Sequence, residues 1–214
     1  MPSVTRKTTS SRAERRDEIR RRLLEAAEEV LQDGESFTEI SVERLVTEAG
    51  ISRSTFYVYF EDKGDLLRAW VAEVTEQLDN AVESWWNLPP DATRADLREA
   101  LSHLVHTYVP HTTLMAALYD AAAYDPSVRD TVDAMMGRNI AGLRRHIAEG
   151  QRAGTIDPDL LPEETSAWLM WMAERGLHQV VRQASEAEIE RLIDAYTAII
   201  WHTLYAPALR HASA

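Results

Sequence analysis

At 214 residues and 45% apolar content, the chain is long enough to bury a core without covalent staples. It has no cysteine, which excludes disulfides, thiolate metal sites and cysteine nucleophiles; no apolar run approaches the ~18 residues of a membrane span, and the polar, basic N-terminus lacks the apolar core of a signal peptide, so a reducing, cytoplasmic setting and no membrane partner are expected. The net charge of -12 would argue against nucleic acid as a partner if it were evenly spread, but residues 1–22 hold eight basic against three acidic side chains and residues 69–214 eleven against twenty-one, a basic end on an acidic body.

Residues 1–14 are rich in Ser, Thr, Arg and Lys without apolar periodicity and read as a disordered arm. Arg6, Lys7 and Arg12 then belong either to an inert tail or to an arm that reaches phosphates or a minor groove. Ile19, Leu23, Ala27, Val30 and Leu31 recur at steps of three and four, the stripe of an amphipathic helix that Gly34 ends. Val42, Leu45, Val46 and Ala49 predict a second helix, capped by Ser41 and stopped by Gly50. A third, short helix begins at Ser52. A fourth runs from Asp62 to about Trp86 on a stripe through Leu67, Val71, Val74, Leu78, Ala81 and Trp85, and Pro89-Pro90 closes it. Five more helices follow at about 93–109, 111–123, 126–150, 162–183 and 186–205, and nothing alternates with a period of two, so the fold is read as all-α with nine helices.

Two short helices joined by a tight glycine turn form a helix-turn-helix, in which the second helix enters the major groove. Ser52 can cap that helix by accepting from the Thr55 amide, and Ile51 can pack on Phe56 to fix its entry angle. At about 100° per residue, Phe56 and Phe60 share the core face. The other side offers Ser54, Thr55 and Val58, with Arg53 and Tyr57 at one flank and Tyr59 at the other. Small polar side chains approach base edges, Arg53 can pair with guanine and Val58 can touch a thymine methyl. Tyr57, Tyr59 and Lys63 are long enough for phosphates at the rim, with Ser41 and Arg44 clamping the backbone from the preceding helix; Tyr59 suits the core equally well.

The segment TEISVERLVTEAGISRSTFYVYFEDKGDLL resembles the N-terminal domain of the TetR family of bacterial repressors: a capped helix, an A-G-[IV]-S turn, a T-[FL]-Y-x-[YH]-F recognition helix and a following Lys. The likeness spans about residues 17–68 and departs at the acidic pair Glu61-Asp62, where a basic residue is common. It implies a homodimer on a palindromic double-stranded operator, with Ser41, Arg44, Ser52, Arg53, Ser54, Thr55, Tyr57, Tyr59 and Lys63 at DNA-facing positions. Domains are expected at 15–66 for DNA and 67–214 for effector and dimer. Past residue 70 the helix order is similar to the branch of actinobacterial repressors that control activation of the drug ethionamide.

No catalytic or phosphate-loop motif occurs after Ala69, so neither an enzyme nor a cofactor is expected. All six tryptophans lie at or after Trp70, among several Tyr and Met side chains that suit an adaptable cavity for a small apolar or amphipathic effector. By likeness to the family's pocket walls, Tyr108, Met136, Asn139, Trp168, Met172, Glu174 and Arg175 are expected to line it. Trp171, Glu174, Arg175 and His178 share a face by spacing, either as a polar anchor for the effector or as an ion pair at an interface. The stripe Leu192, Ile193, Tyr196, Ile199, Ile200 and Leu204 is too wide for one neighbour, so helices 162–183 and 186–205 are expected to form an isologous four-helix dimer face. His103, His106 and His111 invite a metal reading, but without a thiol or a close carboxylate they are read as ordinary histidines and no metal is expected.

Overall fold

The apolar stripe of the first helix is realised in α1 (Arg12–Gln32), with Ile19, Leu23, Ala27, Val30 and Leu31 all buried. This computed structural model describes residues 12–32, 37–206 and 208. The expected arm lies outside the described residues as far as residue 11, and the chain is already helical at Arg12, three residues before the expected start. Gly34, the expected stop, also lies outside them. Nine α-helices and no strand occur among the described residues, and none of these helices is long and apolar enough to cross a membrane.

The chain divides into two compact units between Trp70 and Val71, inside α4 (Lys63–Trp86). In the first, α1 packs on α2 (Val42–Glu48), which turns into α3 (Arg53–Tyr59). Leu23, Ile40, Leu45, Phe56, Leu66 and Leu67 are fully buried there. The turn depends on Gly50, whose φ of +60° is left-handed and whose missing Cβ would meet the Arg22 guanidinium at 2.9 Å. That guanidinium donates to the carbonyls of Ala49 at 2.5 Å and Gly50 at 3.1 Å, tying α1 to the turn. Arg20 donates to the Ala69 carbonyl at 2.7 Å, tying α1 to α4.

The second unit holds α5 (Arg94–Tyr108), α6 (Thr112–Ala122), α7 (Pro126–Ala153), α8 (Pro162–Gln179) and α9 (Glu186–Ile200). Capping boxes start α5, from Thr93 and Asp96, and α9, from Ser185 and Glu188; Asp125 caps α7 ahead of its first-position proline. Gly154, at φ +75°, ends α7 three residues beyond the expected boundary. The expected helix 162–183 stops at Gln179 and gives way to a tight 3-10 turn over Val181–Gln183, while 186–205 finishes in a π-helical turn over Trp201–Tyr205. Helix α7 packs on α6 and α8, and α5 on α9. Trp85, Leu97, Leu101, Leu143, Ile147, Ile200 and Leu204 make one core, and Val105, Val181, Ile189 and Ile193 another. Trp86 lies so close to α7 that a Cβ at Gly142 would stand 2.3 Å from its ring.

Candidate functional site

The reading head is built from its caps upward. Ser41 Oγ accepts from the Arg44 amide at 3.1 Å and Ser52 Oγ from the Thr55 amide at 3.1 Å, so both short helices start at the serines the sequence singles out. Phe56 is fully buried and its ring leans on Phe60 at 5.7 Å. The reverse face of α3 is open: Val58 is 74% and Tyr57 47% exposed, and Ser52, Arg53 and Ser54 are exposed as well. Tyr59 and Thr55 are half-buried.

The cations of this face are engaged within the chain. Arg53 forms an ion pair with Glu43 and lies 5.6 Å from the centre of the Tyr57 ring; Tyr57 first, and then Glu43, push its pKa up. Arg44 pairs with Glu48 at 2.6 Å. Lys63 donates from Nζ to the carbonyls of Phe37 (3.0 Å), Thr38 (2.5 Å) and Ile40 (3.1 Å), and burial lowers its pKa. An ammonium has three donors, and these three acceptors use them all. Lys63 therefore braces the segment ahead of α2 rather than standing free at the rim as its position suggests. Asp62 starts α4 by accepting from the Asp65 amide at 2.7 Å. Arg6 and Lys7 lie outside the described residues.

The second unit holds a partly open cavity of about 70 Å³ between α4, α5, α6, α7, α8 and α9. That is room for a few waters, against the ~300 Å³ or more of a typical ligand site. Of the residues expected at an effector site, Tyr108, Met136, Asn139 and Glu174 lie in its wall, together with Asp79, Trp85, Tyr119 and Tyr196, which the sequence does not point to. Asp79 carries the signal that could have found it, an acid embedded beside the apolar stripe of α4. Three expected lining residues are elsewhere. Trp168 is 79% exposed, Arg175 is exposed, and Met172 faces a separate groove of about 180 Å³ between α8 and α9. A helix of 3.6 residues per turn explains the split: Ala173, Glu174 and His178 turn inward, so Trp168, Trp171, Met172 and Arg175 turn out. The shared face expected of Trp171, Glu174, Arg175 and His178 is thus divided.

Glu174 is 8% exposed and neither of its oxygens has a hydrogen bond of full geometry; the Tyr119 hydroxyl faces it, and the Arg175 Nε stands 3.8 Å from Oε2. Burial, and then the charge of Glu174, push the Tyr108 and Tyr119 hydroxyls well above their ordinary range. Burial raises the Asp79 carboxyl, against the pull of Arg138. His178, edge-on to Tyr119 at 4.9 Å, has its pKa lowered by burial despite Glu174. Behind Trp85, its indole N–H donates to the Tyr205 hydroxyl at 2.8 Å, which also meets His146 Nε2 at 2.8 Å. Burial raises Tyr205 to about 12 and lowers His146.

A capped helix-turn-helix with an open recognition face, carried with an all-helical unit around an apolar cavity, is the architecture of a DNA-binding transcriptional regulator. The family profile "Bacterial regulatory proteins, tetR family" matches residues 23–70, and "Transcriptional regulator EthR, C-terminal domain" matches residues 97–206. The HTH-type transcriptional regulator EthR of Mycolicibacterium smegmatis is 28% identical over 184 residues, 84% of this chain and 82% of the relative. That of Mycobacterium tuberculosis is 30% identical over 156 residues, 72% of each chain. Among solved structures, a TetR-family regulator from Mesorhizobium loti superposes with a TM-score of 0.67 at 22% identity, covering 92% of this chain and 100% of that one. The chain belongs to the TetR family of transcriptional regulators, with an EthR-type C-terminal domain; its relatives and fold are those of regulators, not of enzymes.

Proposed function

We propose that the protein is a homodimeric, cytoplasmic repressor whose two α3 helices read successive major grooves of a palindromic operator, and which a small apolar or amphipathic effector releases. The observation that carries the DNA reading is α3 itself: Phe56 and Phe60 are buried while Arg53, Ser54, Tyr57 and Val58 face solvent. That division leaves one face for the core and one for base edges. Ser41, Arg44, Ser52, Thr55 and Tyr59 flank it as backbone contacts, and Lys63 contributes charge while bracing the segment before α2.

The dimer reading rests on exposed apolar side chains on α8 and α9. Trp168, Trp171, Met172 and Ile199 are all open to solvent, a patch that a second copy would cover isologously. The effector reading rests on the cavity. It is lined chiefly by apolar atoms and includes Met115, Met135, Met136 and Met170, whose unbranched side chains let it swell to ligand size. Leu78, Asp79, Val82 and Trp85 of its wall belong to α4, the same helix that begins at Lys63 beside α3. An effector that swells the cavity displaces α4 and favours a state in which the two α3 helices lose the ~34 Å spacing of one DNA turn.

Binding-site selection on random duplex DNA with the full chain tests this. A palindrome should be enriched, and Tyr57→Ala should abolish its gel shift while the mass in solution remains that of a dimer. No enrichment, or an undiminished shift by Tyr57→Ala, would refute the assignment of α3 as the reading head.

A further inference from the structure

The cavity has a charge its effector has to answer. Two carboxylates, Asp79 and Glu174, face it, and no lysine or arginine is among its lining residues. Glu174 is the more telling. It is more than nine-tenths buried, neither oxygen has a hydrogen bond of full geometry, and the donor that faces it is the Tyr119 hydroxyl of the same wall. The neighbouring Arg175 stands at 3.8 Å, beyond hydrogen-bond reach, with a side chain that is 64% exposed and so mostly solvated. One phenol leaves most of a carboxylate's acceptor capacity unmet, and a buried charge is stable only when it is paired, so Glu174 has room for a cationic partner. The rest of the wall suits a cation too. Trp85, Tyr108, Tyr119 and Tyr196 bring four aromatic rings to one small space, and aromatic faces attract desolvated ammonium groups.

We infer that the effector is an amphipathic organic cation, an alkylammonium whose charged head meets Glu174 within the aromatic wall and whose tail fills the methionine-lined part of the cavity. The inference rests on the effector-site reading of this cavity and narrows it to one chemical class. Glu174 supplies the main counter-charge, and Asp79, on α4, draws the head toward the helix that carries the regulatory displacement. Neutral chains of equal length gain only the burial of the tail; anions meet two carboxylates.

Isothermal titration of the full-length protein with octylammonium, octyltrimethylammonium, 1-octanol and octanoate, all below micelle-forming concentrations, tests this. Both cations should bind about tenfold or more tighter than the alcohol, ~1.4 kcal/mol per decade, and octanoate should not bind. Glu174→Gln, close to isosteric, should remove that preference while 1-octanol binds unchanged; Asp79→Asn should reduce it, and circular dichroism checks that both variants fold. Equal or tighter binding of the alcohol by the native protein, or a preference that survives both substitutions, overturns the cationic effector and leaves the effector site standing. If none of the four binds, the effector-site reading falls with it.

Discussion

Replacing Lys63 by methionine separates two roles that one position can play. A lysine at a DNA rim contributes to binding through released counterions and little to folding. The structure instead gives its ammonium three backbone carbonyls, those of Phe37, Thr38 and Ile40, with the Phe37 ring 5.7 Å away. A hydrogen bond to a charged group contributes ~1.5–3 kcal/mol. Because Thr38 is exposed and the Phe37 and Ile40 carbonyls are only partly buried, the freed acceptors can turn at least in part to water, so the loss for the whole cluster belongs near the value of one such bond. Methionine keeps the aliphatic stem and removes only the charge and the donors. The expected cost is ~1.5–3 kcal/mol, a drop in melting temperature of about 3–12 °C for a chain of this size. Chemical denaturation followed by circular dichroism reads the stability. Fluorescence anisotropy on the selected operator, at several salt concentrations, reads the number of phosphate contacts. If stability is unchanged while the salt slope falls by about one contact, Lys63 is a phosphate ligand and the bracing argument is wrong.

Three further outcomes are expected. Glu43→Gln removes the carboxylate that pairs with Arg53 on an exposed face, so operator affinity should rise several-fold at low salt and the gain should shrink as salt is added; weaker binding would mean that Glu43 positions Arg53 for its base. Trp168→Glu puts a charge into the exposed apolar patch on α8 and should shift the dimer toward monomer in analytical ultracentrifugation without lowering helicity; an unaltered mass would move the dimer face elsewhere. Acidification should destabilise the fold through His146 and His178. Burial lowers both below the ordinary value of 6.5, so protons favour the unfolded chain, and the stability present above about pH 6.5 is lost as the pH falls below it. The raised Asp79 carboxyl acts in the opposite sense, starting from an ordinary value of 3.8. The melting temperature should fall between about pH 7 and 5.5, and less steeply in a His146→Gln, His178→Gln variant; equal slopes would show that neither histidine is protonated on unfolding.

The helix-turn-helix is legible in the chain because its determinants are local. Ser41 and Ser52 cap helices whose amides lie three residues away, Gly50 provides a backbone angle that other residues avoid, and Phe56 and Phe60 are one helical turn apart. Periodicity and punctuation likewise locate all nine helices to within a few residues, the ends differing where a 3-10 or π turn finishes them.

What the order of residues could not decide is which face each helix turns inward. The middle of α8, Ala167 to Ala173, is an unbroken apolar run that covers every face, so spacing groups Trp171, Glu174, Arg175 and His178 without saying which neighbour they meet. Packing against α7 and α6 buries Glu174 and His178, while Trp168, Met172 and Arg175, expected in the cavity, face outward or into another groove. Asp79 and Tyr196 reach the cavity from helices more than a hundred residues apart, a meeting that no local pattern encodes. Lys63 is the same case in miniature. Its number places it beside the DNA-reading helix, but the three carbonyls that accept its hydrogen bonds come from a segment over twenty residues earlier, and only the folded chain brings them within reach.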